Sequence, residues 1–379
     1  MKNSSFPYVR FLDAVSDCTG GNSKVQRKDY AIYGELPVID QGQDFISGYT
    51  DKSNQYKGLL PIVLFGDHTR IFKYVDFPFA LGADGVKALQ PLKGFNAKFL
   101  FYYFRSIKLH NAGYSRHFKF LKEISVPQPS LIEQRRIVDI LSRAEGIVRL
   151  QREAQKKAAE IIPALFLDMF GDPATNPKGW AMTTIADVAT VQGGLQVSTA
   201  RNALPLERPY LRVANVYRTH LNLSEIKFIR LTEAEFKRVR LEGGDLLVVE
   251  GHGNPAEIGR VGIWDGSVEN CVHQNHLIRV RCHPEKALSV FVWALLNSQS
   301  GRHELLRKGK TTSGLNTIST SNVKESRLTL PPIRLQQEFA DRVHQTQSIK
   351  SQQNAALQDT EAVFATLLAQ AFASDTQTQ

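Results

Sequence analysis

Four stretches of this chain carry residue types that could do chemistry, and each lacks a necessary companion. Asn254-Pro255-Ala256-Glu257 begins like an adenine methyl-transfer loop. That chemistry needs a second proline and an aromatic ring to stack on the extruded base, and both are missing. Gly309-Lys310-Thr311 ends like a phosphate-binding loop, but the position five before Gly309 is Glu304, where a glycine is required. Glu225-Ile226-Lys227 has the carboxylate and lysine spacing of some nucleases without a convincing acidic partner, so a strand surface accounts for it as well. Cys271, His273, His276, Cys282 and His283 offer zinc-type ligands. Their spacing fits no familiar finger, and with Val272 between Cys271 and His273 a half-buried strand explains them; no metal is expected.

With no catalytic centre in view, the elements that organise the chain carry more information. Val126–Asp172 and Leu328–Ser374 align without a gap at an offset of 202, and seven of the 40 positions from 131 to 170 are identical, including Gln134/Gln336, Gln151/Gln353 and Phe170/Phe372. Each copy is introduced by a proline, Pro129 or Pro331, which suits an entry or first helical turn. In the first copy, apolar residues at Ile137, Leu141, Ala144, Val148, Ala158, Ile162, Leu165 and Met169 follow alternating steps of four and three, interrupted by Gln151 and Gln155. That spacing predicts a heptad seam. The second copy repeats it from Phe339 and Val343 to Phe364, Leu367 and Ala371, again with a polar middle.

Two such helices pack most simply as an antiparallel pair with pseudo-twofold symmetry, each a rod of roughly 60 Å at 1.5 Å per residue. Pro163 predicts a kink in the first, because it removes one backbone bond. Gly171 and the prolines at 173 and 177 end it. The bland alternative keeps each helix on its own domain.

The two inserts resemble each other weakly. Leu12-Asp13-Ala14-Val15 before Gly20-Gly21 parallels Ile185-Ala186-Asp187-Val188 before Gly193-Gly194. Strands are predicted at Leu59–Phe65, Ile71–Val75, Asp245–Val249 and His276–Arg281, with a late helix at Phe95–Lys108 and at Ala287–Ser298. The fold class is therefore α+β: two mixed α/β domains spaced by two long antiparallel coiled-coil helices with pseudo-twofold symmetry.

The 379 residues carry a net charge of +10 with 42% hydrophobic content. Residues 1–130 hold 17 Lys plus Arg against 11 Asp plus Glu, and 171–332 hold 20 against 15. The basic excess thus lies in the two inserts, which suits a polyanionic partner. Three cysteines are too few for a disulfide framework, and the chain shows neither a signal peptide nor a membrane-spanning run. A soluble cytoplasmic protein is expected.

The repeated segments Val126-Pro127-Gln128-Pro129-Ser130-Leu131-Ile132-Glu133-Gln134 and Leu330-Pro331-Pro332-Ile333-Arg334-Leu335-Gln336, with Met169-Phe170-Gly171-Asp172, resemble the conserved regions of Type I restriction-modification specificity subunits. Ile62–Arg70, Gln274–Val280 and Thr311–Asn316 look like parts of their target recognition domains. The resemblance covers nearly the whole chain. It implies recognition domains at 1–128 and 172–330, spacer helices at 129–171 and 331–373, and a disordered tail at 374–379. It further implies a non-catalytic subunit that reads a bipartite asymmetric site on double-stranded DNA. Two modification subunits would methylate adenine with S-adenosylmethionine, a cofactor this chain does not hold, and ATP-dependent restriction subunits could join them. A coiled-coil-armed nuclease and a coiled-coil assembly protein with no DNA role are the alternatives.

Base reading needs Arg, Lys, Asn and Gln at base edges, supported by phosphate contacts. The first insert offers Gln41, Gln43, His68 and Arg70, then the run Asn111, Tyr114, Arg116, His117 and Lys119. The second offers Arg212, Asn215, Arg218, His252 and Asn254, then Lys308, Lys310, Thr311, Thr312, Ser313 and Asn316. For any one of them, a solvated loop residue is the competing explanation.

Overall fold

The computed structural model describes residues 6–109, 113, 115–307, 310–312 and 315–373. They fall into two compact units, one from 1–153 with 354–379 and the other from 154–353. The expected tail at 374–379 lies outside the described residues.

The first unit enters and leaves on a strand pair, Tyr8–Arg10 antiparallel to Ser125–Pro127. A four-stranded antiparallel sheet follows in the spatial order Val15–Asp17, Val86–Pro91, Ile62–Gly66, Phe72–Val75. The second unit repeats this plan. Ala181–Thr184 pairs with Arg327–Leu330, and the sheet order is Ala189–Gly193, Leu277–Cys282, Leu246–Val249, Val261–Ile263. In both sheets the strand latest in sequence lies second. The smaller sheets differ: four short strands from Lys24 to Gly82 in the first unit, three from Leu206 to His273 in the second.

The late helices are Ala97–Ser106 and Ser289–Asn297. The long helices are Leu131–Phe170 and Ile333–Ala371. The first continues through Pro163 and ends at Gly171, whose φ of +77° favours glycine and whose amide donates to the Leu167 carbonyl at 2.8 Å. A Cβ there would meet Pro177 at 2.5 Å.

Within the first unit the start of the first long helix meets the end of the second. Ile137 and Leu141 share a core with Phe99, Tyr103, Leu367 and Phe372, and Arg152 pairs with Glu361. Rising numbers on one helix face falling numbers on the other, so the pair is antiparallel. The second unit mirrors this with Phe166 and Phe170 against Phe339 at 5.9 and 5.3 Å, over Phe291.

The heptad template selected Leu165 and Met169, but these are half-buried, and the fully buried side chains are Phe166 and Phe170. The larger rings turn inward because this stretch packs on Phe291 of the late helix as well as on Phe339 of the long one.

Candidate nucleic-acid interface

In the first unit the candidate residues come from segments far apart in sequence, and backbone bonds bring these together. The Asp67 amide donates to the Gly85 carbonyl at 2.7 Å, and the Asp67 carbonyl accepts from the His117 amide at 2.9 Å. The Asp67 carboxylate accepts from the Phe118 amide at 2.7 Å. Gln41 Oε1 then accepts the His68 amide at 3.1 Å. Gly85 must be glycine in this junction: its φ is +79°, and a Cβ would sit 2.9 Å from the Gln41 carboxamide and the His68 ring. Arg70 adopts a φ of +62°, which turns the chain at the end of the same loop.

The candidates divide by exposure. Gln43, Arg116 and Lys119 are exposed, and Gln41, His68 and Arg70 are half-buried. Asn111 and Tyr114 lie outside the described residues. His117 is a correction: it is 0% exposed, with Nδ1 3.0 Å from the Asp67 carbonyl, so it clamps the loop from inside. A residue that the sequence did not single out is Lys73, 5% exposed, whose Nζ donates to the Asp40 and Asp44 carbonyls at 2.8 and 2.5 Å. It holds the loop carrying Gln41 and Gln43. The available signal was a lysine at an inward position of an alternating strand.

The second unit builds its loops with guanidinium groups. Asn215, 2% exposed, accepts the Arg212 amide at 2.8 Å and donates to the Asn222 and Glu225 carbonyls at 2.8 and 3.0 Å. It is therefore an internal clamp, not an accessible donor. Arg212 pairs with Glu225 at 2.8 Å, which holds that carboxyl below the usual range. This explains Glu225 as an ion-pair partner.

Arg218 donates to the Ala256 carbonyl at 2.7 Å, and Arg302, which the sequence did not single out, donates to the Pro255 carbonyl at 3.0 Å. The two anchor the loop 251–257. On that loop the His252 Nδ1 accepts the Asn254 amide at 2.9 Å, and the exposed Asn254 side chain caps Ala256. Gly251 bridges Thr317, so the loop abuts the hairpin in which Lys310–Thr312 pairs with Leu315–Thr317. The candidates Lys310, Thr311, Thr312 and Asn316 stand on that hairpin; Lys308 and Ser313 lie outside the described residues.

The cysteine and histidine cluster is split. Cys271 and Cys282 belong to different hydrophobic cores, and burial pushes their thiols up to about 12 and about 11. His273 is 0% exposed with Nδ1 2.9 Å from the Leu277 carbonyl, and burial pushes its imidazole down to about 4. Among the described residues, no three metal-ligating groups gather into a metal site.

Two α+β units of one plan, each followed or preceded by a long helix, define a tandem-repeat architecture. The sequence matches the Type I restriction modification DNA specificity domain family over residues 9–160 and 177–359, and the chain belongs to that family. It is 30% identical over 188 residues to the Type I restriction enzyme EcoKI specificity subunit of Escherichia coli strain K12, covering 48% of this chain and 40% of that one. It is 27% identical over 274 residues to the StySPI specificity subunit of Salmonella potsdam, covering 68% and 58%. The matched region thus spans about half the length of these relatives.

Two solved structures share the fold. The S subunit of the Type I restriction-modification system of M. genitalium aligns over 99% of both chains at 14% identity and a TM-score of 0.54. A chain from a study of complex assembly and conformational transition of the type I R-M system aligns over 98% of this chain and 99% of that one, at 15% identity and a TM-score of 0.60. The mixed α+β class with two long helices is the expected one. No described helix is long and apolar enough to cross a membrane.

Proposed function

We propose that this chain is the non-catalytic DNA-reading subunit of a Type I restriction-modification complex. Each unit reads one half of a bipartite site on double-stranded DNA, and two modification subunits that use S-adenosylmethionine assemble on the chain. Restriction subunits join the same assembly in the cytoplasm. The observation that carries this is the repetition of one sheet order and one helix entry in two units whose loops differ. Shared scaffolds with different loops suit two readers of different half-sites, and readers on one face of a duplex repeat at roughly 34 to 36 Å. The basic excess in both inserts supplies the phosphate attraction.

The test is to purify the chain alone and with modification subunits, then assay DNA binding and methyl transfer. Methylation at a bipartite site only when the modification subunits are added supports the proposal. Methyl transfer or cleavage by the chain alone would overturn it.

A further inference from the structure

Beside the long helices the two units share one frame, and within that frame they differ at one place. The Asn96 amide donates to Gln134 and the Leu288 amide to Gln336, which sets the late helices in register. Phe99 against Phe372 then corresponds to Phe291 against Phe170. By that register Tyr102 matches Ala294, Arg105 matches Asn297, Glu145 matches Gln347 and Phe364 matches Ile162.

In the first unit this place is filled. The Tyr102 hydroxyl donates to Glu145 at 2.8 Å, Arg105 pairs with the same carboxylate, and both lie on the Phe364 ring, at 6.5 and 5.5 Å. In the second unit the matched residues Ala294, Asn297 and Gln347 carry no phenol ring, guanidinium or carboxylate. A cavity of about 410 Å³ takes their place, and Ala294, Asn297, Gln347 and Ile162 all line it.

The lining of this cavity is chemically specific. Ile162, Phe166 and Trp293 make an apolar wall, while Arg218 and Lys350 bring cations. Arg218 Nη1 is buried with no hydrogen-bond partner among the described residues. Burial and the charge of nearby Arg302 lower the Arg218 pKa, so an anion beside it relieves an existing cost. The one acid in the lining, Asp172, is already engaged by the Ser300 hydroxyl and the Ala174 amide. An unpaired buried donor is costly, and an apolar wall offers a planar ring a dry surface.

We propose that the second unit binds a small aromatic carboxylate here, its ring taking the space that Tyr102 fills in the first unit and its carboxylate meeting Arg218 and Lys350. The proposal does not depend on the DNA-reading role.

The experiment titrates the full chain with 4-fluorophenylacetate, followed by fluorine NMR and calorimetry. Saturable binding with a Kd of about 1 mM or tighter is expected, as suits so small a ligand. Ala294→Tyr, which restores the ring of the first unit, abolishes binding without lowering the unfolding midpoint. Ile162→Phe fills the same space from the long helix and serves if Ala294→Tyr misfolds. The neutral 2-(4-fluorophenyl)ethanol binds about tenfold more weakly, since it lacks the charge that completes the Arg218 bond. Absence of saturable binding, binding unchanged in both filled variants, or equal binding of the neutral alcohol each overturns the proposal.

Discussion

Gln134 and Gln336 occupy the same position in the two copies, and both are 0% exposed. Gln134 accepts the Asn96 amide at 2.8 Å and donates to the Gly94 and Pro129 carbonyls at 2.8 and 2.9 Å. Gln336 accepts the Leu288 amide at 2.9 Å and donates to the Pro331 carbonyl at 2.8 Å. Each carboxamide thus ties the first turn of a long helix to the start of the late helix and to the proline segment before it.

Truncating these glutamines leaves buried backbone groups unmet. Gln134→Ala is expected to cost about 3 kcal/mol and Gln336→Ala about 2 kcal/mol, because the first loses three bonds and the second two. Urea unfolding of each variant checks the ranking; equal losses within error would contradict the clamp.

Buried and exposed candidates in the loop clusters should separate by phenotype. Asn215→Ala is expected to lower stability by about 2 kcal/mol, since the Arg212 amide and two carbonyls lose their partner. Arg116→Ala and Lys119→Ala should leave unfolding unchanged and weaken DNA binding, each reducing the salt slope by about 1 if it meets a phosphate. Affinities and salt slopes identical to the unsubstituted chain in both lysine and arginine variants would remove that run from the interface.

Lys73 positions the Gln41 loop from beneath, so Lys73→Met should weaken DNA binding while sparing the fold. Its ammonium donates to two loop carbonyls, and methionine keeps the apolar stem without the donors. Binding at full affinity, measured by titration of labelled duplex, would show that the loop needs no such anchor.

His273 makes the second unit sensitive to acid. Its folded pKa of about 4 lies below the unfolded value of about 6.5, so the unfolded chain takes up the proton first. Stability is therefore complete above pH about 6.5 and falls as pH drops toward about 4, by on the order of 3 kcal/mol. Unfolding midpoints of the unsubstituted chain and of His273→Asn between these limits test it; parallel pH profiles would contradict it.

Much of the frame could be read from the residues, because the helix repeat runs without a gap and its glutamines and glycine sit at defined positions. Strands such as Ile62–Gly66 and Leu277–Cys282 were marked by short apolar runs between turn formers. Burial was harder. A heptad seam does not select Phe166 and Phe170, because it describes two helices and this stretch faces a helix and a domain core together. His117 and Asn215 have the residue types of base readers, but residue type says nothing of whether a polar side chain turns inward to satisfy backbone groups. The junction of Gln41, His68 and His117 rests on backbone bonds from Asp67 across long sequence separations, and no local pattern records those.

The central claim is that each unit reads its own half-site, and the chain offers a clean place to test it. The segment from Ala181 to Leu330 enters and leaves on paired neighbouring strands, so it can be exchanged for its counterpart from another family member. The measurement is a map of methylated adenines in cells carrying the exchanged chain with its modification subunits. One half of the recognised site should change while the other half is kept. Methylation that persists at the original site, or a site altered in both halves, would contradict the account.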